Sequence, residues 1–214
     1  MPITDKTLVV WASPADLDQR GGSALTLDDL HSNFDGVVFG EIAARRWMPG
    51  SENHGRTLRE QDDWPEETAG AEVFVQLAIT YRDQEVVVYR DGRLYAQYAM
   101  AEPPRSFGPR AAILFGRRHL DAGDPRRSFA GRIREARVYD RALTAGAVAA
   151  LVPREIGDQA LPWAWWSFAD EGLREKTGRF DEIKLIGDVR LADGCLHLAG
   201  DGAAVLCRAS GAAD

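Results

Sequence analysis

The apolar positions of this chain fall into short runs separated by turn residues. Residues 7 to 12 read TLVVWA, with Leu8 and Val10 on one side of an extended backbone and Val9 and Trp11 on the other. Residues 36 to 42 (GVVFGEI) form a second run. In residues 73 to 81 (VFVQLAITY), Phe74, Gln76, Ala78 and Thr80 alternate with Val73, Val75, Leu77, Ile79 and Tyr81. A period of two is the mark of a strand, whose side chains point to opposite faces in turn. Residues 85 to 90 (EVVVYR) and the following RLYAQYAM bracket Asp91-Gly92, a pair that tolerates φ > 0 at both positions and so predicts a hairpin. Strands are also predicted at 111 to 116, 131 to 139, 164 to 168, 195 to 200 and 203 to 208. The last two bracket Asp201-Gly202, which predicts a second hairpin with Cys195 and Cys207 on its arms.

One segment carries helical spacing. In residues 144 to 152 (TAGAVAALV), Thr144 is a good N-cap and Pro153 ends the run. About ten strands and one short helix predict an all-β sandwich or barrel. A parallel α/β architecture is disfavoured, because no helices lie between the strands. Residues 43 to 72 form the longest stretch without strand character. Loops of that length in compact domains are usually functional or disordered, and Trp47 and Trp64 argue against disorder.

Composition narrows the function classes. Apolar residues make up 45% and charged residues 28%, enough to build a core. The 33 acidic against 26 basic residues (net charge -7) argue against a nucleic-acid or membrane-surface binder. No apolar run approaches the roughly 20 residues of a membrane helix. No basic leader followed by a long apolar stretch marks a signal peptide at the N-terminus. Two cysteines exclude a disulfide scaffold or a thiolate zinc site. The 214 residues suit one large domain or two small ones.

Three segments together resemble the LamG-like jelly roll of the concanavalin A-like lectin/glucanase sandwiches. The first is VFVQLAITYRDQEVVVYRDGRLYAQY, similar to the family's central hairpin. The second, FAGRIREARVYDRALTAGAVAAL (129 to 151), is similar to its closing strand and short helix. The third, WAWWSFADEG (163 to 172) followed by ADGCLHLAGDGAAVL (192 to 206), resembles its opening strand and early hairpin. The order is unusual, since the opening segment comes last here. It implies either a second, truncated domain or a circularly permuted two-sheet antiparallel sandwich. Length favours the latter: one domain over 1–214, with main strands in 7–139, a helix and linker in 144–162, and completing strands in 163–207. The layout also resembles N-terminal accessory modules of bacterial enzymes related to glycoside hydrolase family 32, the β-fructosidases. That resemblance implies a glycan such as a fructan, or an adjacent catalytic propeller domain, as partner.

The carboxylate pair of retaining glucanases, Glu-x-Asp-x-Glu or Glu-x-Asp-x-x-Glu on one strand, is not found. Glu60-Gln61-Asp62 begins it, but Trp64 and Pro65 stand where the second Glu belongs. No serine sits in a Gly-x-Ser-x-Gly context, and His31, His54, His119 and His197 are scattered. No catalytic residues are therefore assigned. The resemblance implies a structural Ca²⁺, with Asp170 and Glu171 as candidate ligands. The closing strand reads Ile133-Arg134-Glu135 where the family usually offers Ile-Asp-Glu. Sugar binding calls for an exposed aromatic ring flanked by hydrogen-bonding groups. The candidates are Trp47 and Trp64 with Glu52, Asn53, His54, Arg56, Asp62 and Asp63 in the long loop. The competing reading is that the tryptophans pin this loop to the sandwich. Trp11, Trp165 and Phe168 are expected in the core. The basic runs Arg45-Arg46, Arg117-Arg118-His119 and Arg126-Arg127 offer a grip for an anionic ligand or a neighbouring domain, or are solvated loop charges. Two functions follow: a non-catalytic carbohydrate-binding or accessory module, and a protein–protein interaction sandwich without sugar binding.

Overall fold

In the computed structural model, residues 2–120, 124, 127–156, 161–169 and 172–209 are described. Two antiparallel sheets face each other across an apolar interior. Strands are numbered along the chain. The first sheet runs, in spatial order, β12 (Val189–Ala192), β13 (Cys195–Ala199), β9 (Ala130–Tyr139), β1 (Lys6–Pro14), β5 (Val75–Arg82), β6 (Glu85–Arg90) and β7 (Arg93–Ala99). An eighth strand, β10 (Ala164–Ser167), also pairs with β9. β10 lies along residues 135 to 138 of β9 and β13 along residues 130 to 133, so the two share one edge end to end. The second sheet runs β11 (Glu182–Ile186), β14 (Ala204–Arg208), β8 (Ala112–Gly116), β2 (Gly22–Asp28), β3 (Phe34–Phe39) and β4 (Trp47–Ser51). The segment after residue 160 thus supplies strands to both sheets.

The interior is built from alternate strand positions. Leu8, Val10, Leu77, Ile79, Ile133 and Val138 of the first sheet meet Leu27, Val37, Phe39, Ile113, Phe115 and Val205 of the second. The opposite face of β1 is also covered. Val9, Trp11, Ala78, Val87, Tyr89 and Tyr139 form a smaller cluster, closed by Val148 and Leu151. Val148 belongs to α1 (Ala145–Ala149), the only α-helix among the described residues, and the Thr144 side chain caps it by accepting from the Ala147 amide. Burial on both faces explains why β1 reads as an unbroken apolar run.

The ten predicted strands form, and the β6–β7 hairpin turns at Asp91 (φ 49°) and Gly92 (φ 72°) as expected. Gly92 is required twice over, since a Cβ there would also lie 2.8 Å from Ala149 Cα of the helix. Three expectations are corrected. Residues 43 to 72 are not all loop, because Trp47–Ser51 is edge strand β4, where Pro49 is tolerated. β2, β11 and β12 also form; EIKLI and VRLA alternate but are short and largely exposed, and a register shift between Ser23 and Leu25 interrupts β2. The turn at Asp201-Gly202 does not close a hairpin: β13 pairs in the first sheet and β14 in the second, so the chain crosses between layers. Cys195 and Cys207 therefore sit in different sheets, as free thiols.

A buried ionic cluster ties the sheets together. Lys6 of β1 and Asp35 of β3 face each other at 3.1 Å, and Arg56 Nε donates to Asp35 at 2.8 Å. Lys6 Nζ also donates to the carbonyls of Thr4 and Arg105. Burial lowers the Lys6 pKa, and Asp35 opposes that shift without cancelling it.

Candidate functional site

The long loop seals one side of the sandwich, between edge strands β4 and β7. Trp47 has no exposed surface; it packs between Phe39 and Phe129 and donates from Nε1 to Glu67 at 2.9 Å. Glu67 also receives Arg90 and the amides of Thr68 and Ala69. Burial opposes ionisation of Glu67, but these donors outweigh it and hold the carboxyl below its usual range. Arg56 is likewise buried, bonded to Asp35 and to the Phe34 carbonyl. The expectation that Trp47 and Arg56 contact sugar is thus corrected, because both point inward and serve the interior. Trp64 is half-buried, stacked 6.0 Å from Tyr98 and edge-on to Tyr95. Tyr95 and Tyr98 donate in turn to the Pro65 and Arg56 carbonyls. Asn53, Asp62 and Asp63 are exposed, and His54 is half-buried.

Glu52 belongs to a separate clasp. The His119 ring bridges Asp28 through Nδ1 and Glu52 through Nε2, each at 2.9 Å, with its edge against Phe34. Burial alone would lower the His119 pKa; the two carboxylates outweigh it and raise it. The basic runs are largely occupied: Arg45 pairs with Asp18, Arg46 straps the Trp64 and Asp62 carbonyls, and Arg118 pairs with Glu41. Arg126 lies outside the described residues.

Two buried carboxylates are also consumed by structure. Glu135 accepts from Arg137, from Trp165 Nε1 and from the Arg154 amide. Glu175 accepts from the amides of Trp165, Thr177 and Arg179. Trp11 and Phe168 are buried as expected, whereas Trp165 is half-buried on the outer face beneath Lys176. Asp170 and Glu171 lie outside the described residues. Among the described residues no group of three or more His, Cys, Asp or Glu is placed to hold a metal ion. Arg134, at the position where the family offers an acid, rests 4.1 Å over the Phe74 ring.

A cleft lies elsewhere, on the outer face of the first sheet. Strand register sets Ser13 opposite Arg132, Arg132 opposite His197, and His197 opposite Arg190. Opposed residues of antiparallel strands share a face. Their neighbours Ala12, Ile133, Leu196 and Val189 face the interior, so this row faces outward. At the usual strand spacing the row is roughly 14 Å long. Ala15, just beyond the end of β1, and Ala199 of β13 add a shelf of small side chains. The cleft encloses about 300 Å³, with Glu72 and Asp188 at its sides. Ser13 Oγ and Arg132 both donate to the Ala71 carbonyl, and Arg132 lies 2.9 Å from Glu72, so the end of the long loop is fastened down as one wall. His197 Nε2 lies 3.0 Å from the Ala192 carbonyl; a carbonyl only accepts, so Nε2 carries the proton and Nδ1 is an acceptor in the neutral ring. Sequence reading missed this row. Its signal was the polar alternation in GRIRE and CLHLAG, and only long-range register brings those segments together.

The family model Laminin_G_3, described as concanavalin A-like lectin/glucanases superfamily, matches residues 2–149. No curated protein matches the sequence. The structure is similar to domain 4 of AbnA, a GH43 extracellular arabinanase from Geobacillus stearothermophilus, solved in complex with arabinotriose: 19% identity, 70% of this chain, 66% of that chain, TM-score 0.54. It is also similar to a protein of Bacteroides ovatus ATCC 8483 described as a candidate carbohydrate-binding protein: 12% identity, 98% of this chain, 55% of that chain, TM-score 0.54. A third likeness is to the heptameric SAP-like pentraxin of Limulus polyphemus: 13% identity, 81% of this chain, 83% of that chain, TM-score 0.51. The chain thus spans under two thirds of the first two proteins' lengths, and at these identities the likeness is one of fold.

Proposed function

This chain belongs to the Laminin_G_3 family of the concanavalin A-like lectin/glucanases superfamily, and on that premise we propose that it is a non-catalytic carbohydrate-binding module of a carbohydrate-active enzyme. The observation that carries the reading is the outer-face cleft, where Arg132, His197, Arg190 and Asp188 converge beside a shelf of alanines. A shallow, partly apolar floor with a few directed polar groups suits a sugar ring. The arabinanase domain that shares the fold was solved with arabinotriose, which supports the same reading. A non-catalytic role fits the buried carboxylates Glu67, Glu135 and Glu175, since fixed donors hold each of these three and leave none of them poised as acid or nucleophile.

The order of the motifs supports a finer reading: one circularly permuted sandwich accompanying a β-fructosidase-like enzyme of the family 32 type, with fructan or the catalytic propeller as its partner. The exposed loop residues Asn53, Asp62 and Asp63, with Glu52, His54 and Trp64, form a second contact surface in this proposal. Asp170 and Glu171 remain the proposed ligands of a structural Ca²⁺. Glycan-array screening followed by calorimetry tests the function. Binding of an oligosaccharide supports it. No glycan binding, with tight binding to a catalytic domain instead, would replace it with a protein-docking role. The exposed Leu185 and Leu191, on edge strands β11 and β12, favour that second reading.

A further inference from the structure

Resting on that reading, we infer that the outer-face cleft selects a neutral, polyhydroxylated glycan over an acidic one, and that Asp188, Arg190 and His197 determine this preference. The cleft carries both signs of charge in alternation. Arg132 is held by Glu72 at 2.9 Å, and Arg190 stands 3.8 Å from Asp188. A carboxylate only accepts hydrogen bonds and a guanidinium only donates them, whereas a sugar hydroxyl does both. Neighbouring hydroxyls of a neutral ring therefore satisfy an Asp–Arg pair together, one donating to the acid and one accepting from the base. His197 lies in the same row and, with its ring neutral, offers Nδ1 as an acceptor.

An acidic sugar meets the opposite arrangement. A carboxylate approaching Arg132 comes beside Glu72, and one approaching Arg190 comes beside Asp188. Each route sets two negative charges side by side, which is unfavourable even near the surface. The alanines at 15 and 199 favour a flat apolar ring face over a charged substituent. Asp188, Arg190 and His197 all come from β12, β13 and the turn before β12, outside the stretch matched by the family model. The stretch matched by the family model thus supplies Arg132 and Glu72, and the C-terminal strands add Asp188, Arg190 and His197.

The test is calorimetry on the full chain with arabinotriose, a fructo-oligosaccharide and an oligogalacturonide of matched length, repeated with Arg190→Ala, Asp188→Asn and His197→Ala. Arg190 and Asp188 are 74% and 68% exposed, so their substitution leaves the fold intact. A neutral oligosaccharide should bind at least tenfold more tightly than the oligogalacturonide. Arg190→Ala and Asp188→Asn should each weaken it roughly tenfold, as expected for loss of a hydrogen bond to a charged group. Equal or tighter binding of the oligogalacturonide overturns the inference. So does neutral-glycan binding that the three variants leave unchanged, which keeps the carbohydrate-binding role and moves it to another surface. Failure of every glycan to bind removes that role and the inference with it.

Discussion

Trp47 separates a ligand-binding tryptophan from a structural one, and Trp47→Phe is the decisive substitution. The indole is fully buried between Phe39 and Phe129, and its Nε1–H is spent on Glu67. Phenylalanine keeps the aromatic contact but removes the donor and two ring carbons. The lost hydrogen bond to an ionised carboxylate costs about 1.5–3 kcal/mol. The lost carbons cost about 1.6 kcal/mol at the usual value per buried methylene. Glu67 keeps Arg90, so its charge is not left unpaired and the two costs approximate the whole, about 3–5 kcal/mol. At a urea m-value of about 2 kcal/mol/M, the unfolding midpoint should fall by about 1.5–2.5 M. Far-UV circular dichroism in urea measures this, with calorimetry on any bound glycan run in parallel. The folded variant should bind glycan as the wild type does. A midpoint within about 0.3 M of wild type, or weakened glycan binding at unchanged stability, would refute the placement of Trp47 in the core.

Three further outcomes are expected. The His119 pKa is raised by Asp28 and Glu52 against burial, so its stabilisation is present in full below about pH 6.5 and is lost as pH rises through the raised value; the stability difference between wild type and His119→Gln should shrink from pH 5.5 to 8.5, and a difference that grows with pH would contradict the clasp. Asp35→Asn removes the buried counter-charge of Lys6 and leaves Arg56 only the more distant Glu102, 3.9 Å away, so it should destabilise the fold by about 3–5 kcal/mol in urea unfolding, more than Lys6→Met, which removes a cation and keeps the Arg56–Asp35 pair; the reverse order would be inconsistent with the cluster. Burial pushes the Cys207 thiol up to about 12, so a disulfide reagent should label it only as fast as the protein unfolds, and rapid labelling of the native protein at neutral pH would show the site to be open.

What could be read from sequence divides along the range of the interactions involved. The β6–β7 hairpin was legible because its determinants, Asp91-Gly92 and the flanking alternation, lie within a few residues of one another. Asp201-Gly202 carries the same local chemistry, with φ of 42° and 86°, yet joins strands in different sheets. The difference lies in the partners, β9 on one side and β8 on the other, which no window around the turn contains. Trp47 offers no local sign of its burial either, since its neighbours Arg46, Pro49 and Gly50 read as loop and Glu67 lies twenty residues away. The resemblance was carried by three segments, β5 to β7, β9 with α1, and β10 with β13 and β14, whose apolar positions answer to the core. The outer-face row escaped because Ser13, Arg132, His197 and Arg190 are individually ordinary surface residues, and only pairing register makes them a row.

The shared edge of β9 has a consequence for how the chain matures. One flank of β9 is filled early by β1, but the other waits for β10 and β13, and β8 waits likewise for β14. At ordinary rates of synthesis, residues 140 to 208 take roughly 3–14 seconds to emerge. Until β10 and β13 have emerged for β9, and β14 for β8, the nascent protein presents unpaired strand edges flanked by apolar side chains, the form most prone to join a neighbouring chain. The native state closes both edges with its last strands, so the vulnerable period in the life of this protein is its birth on the ribosome.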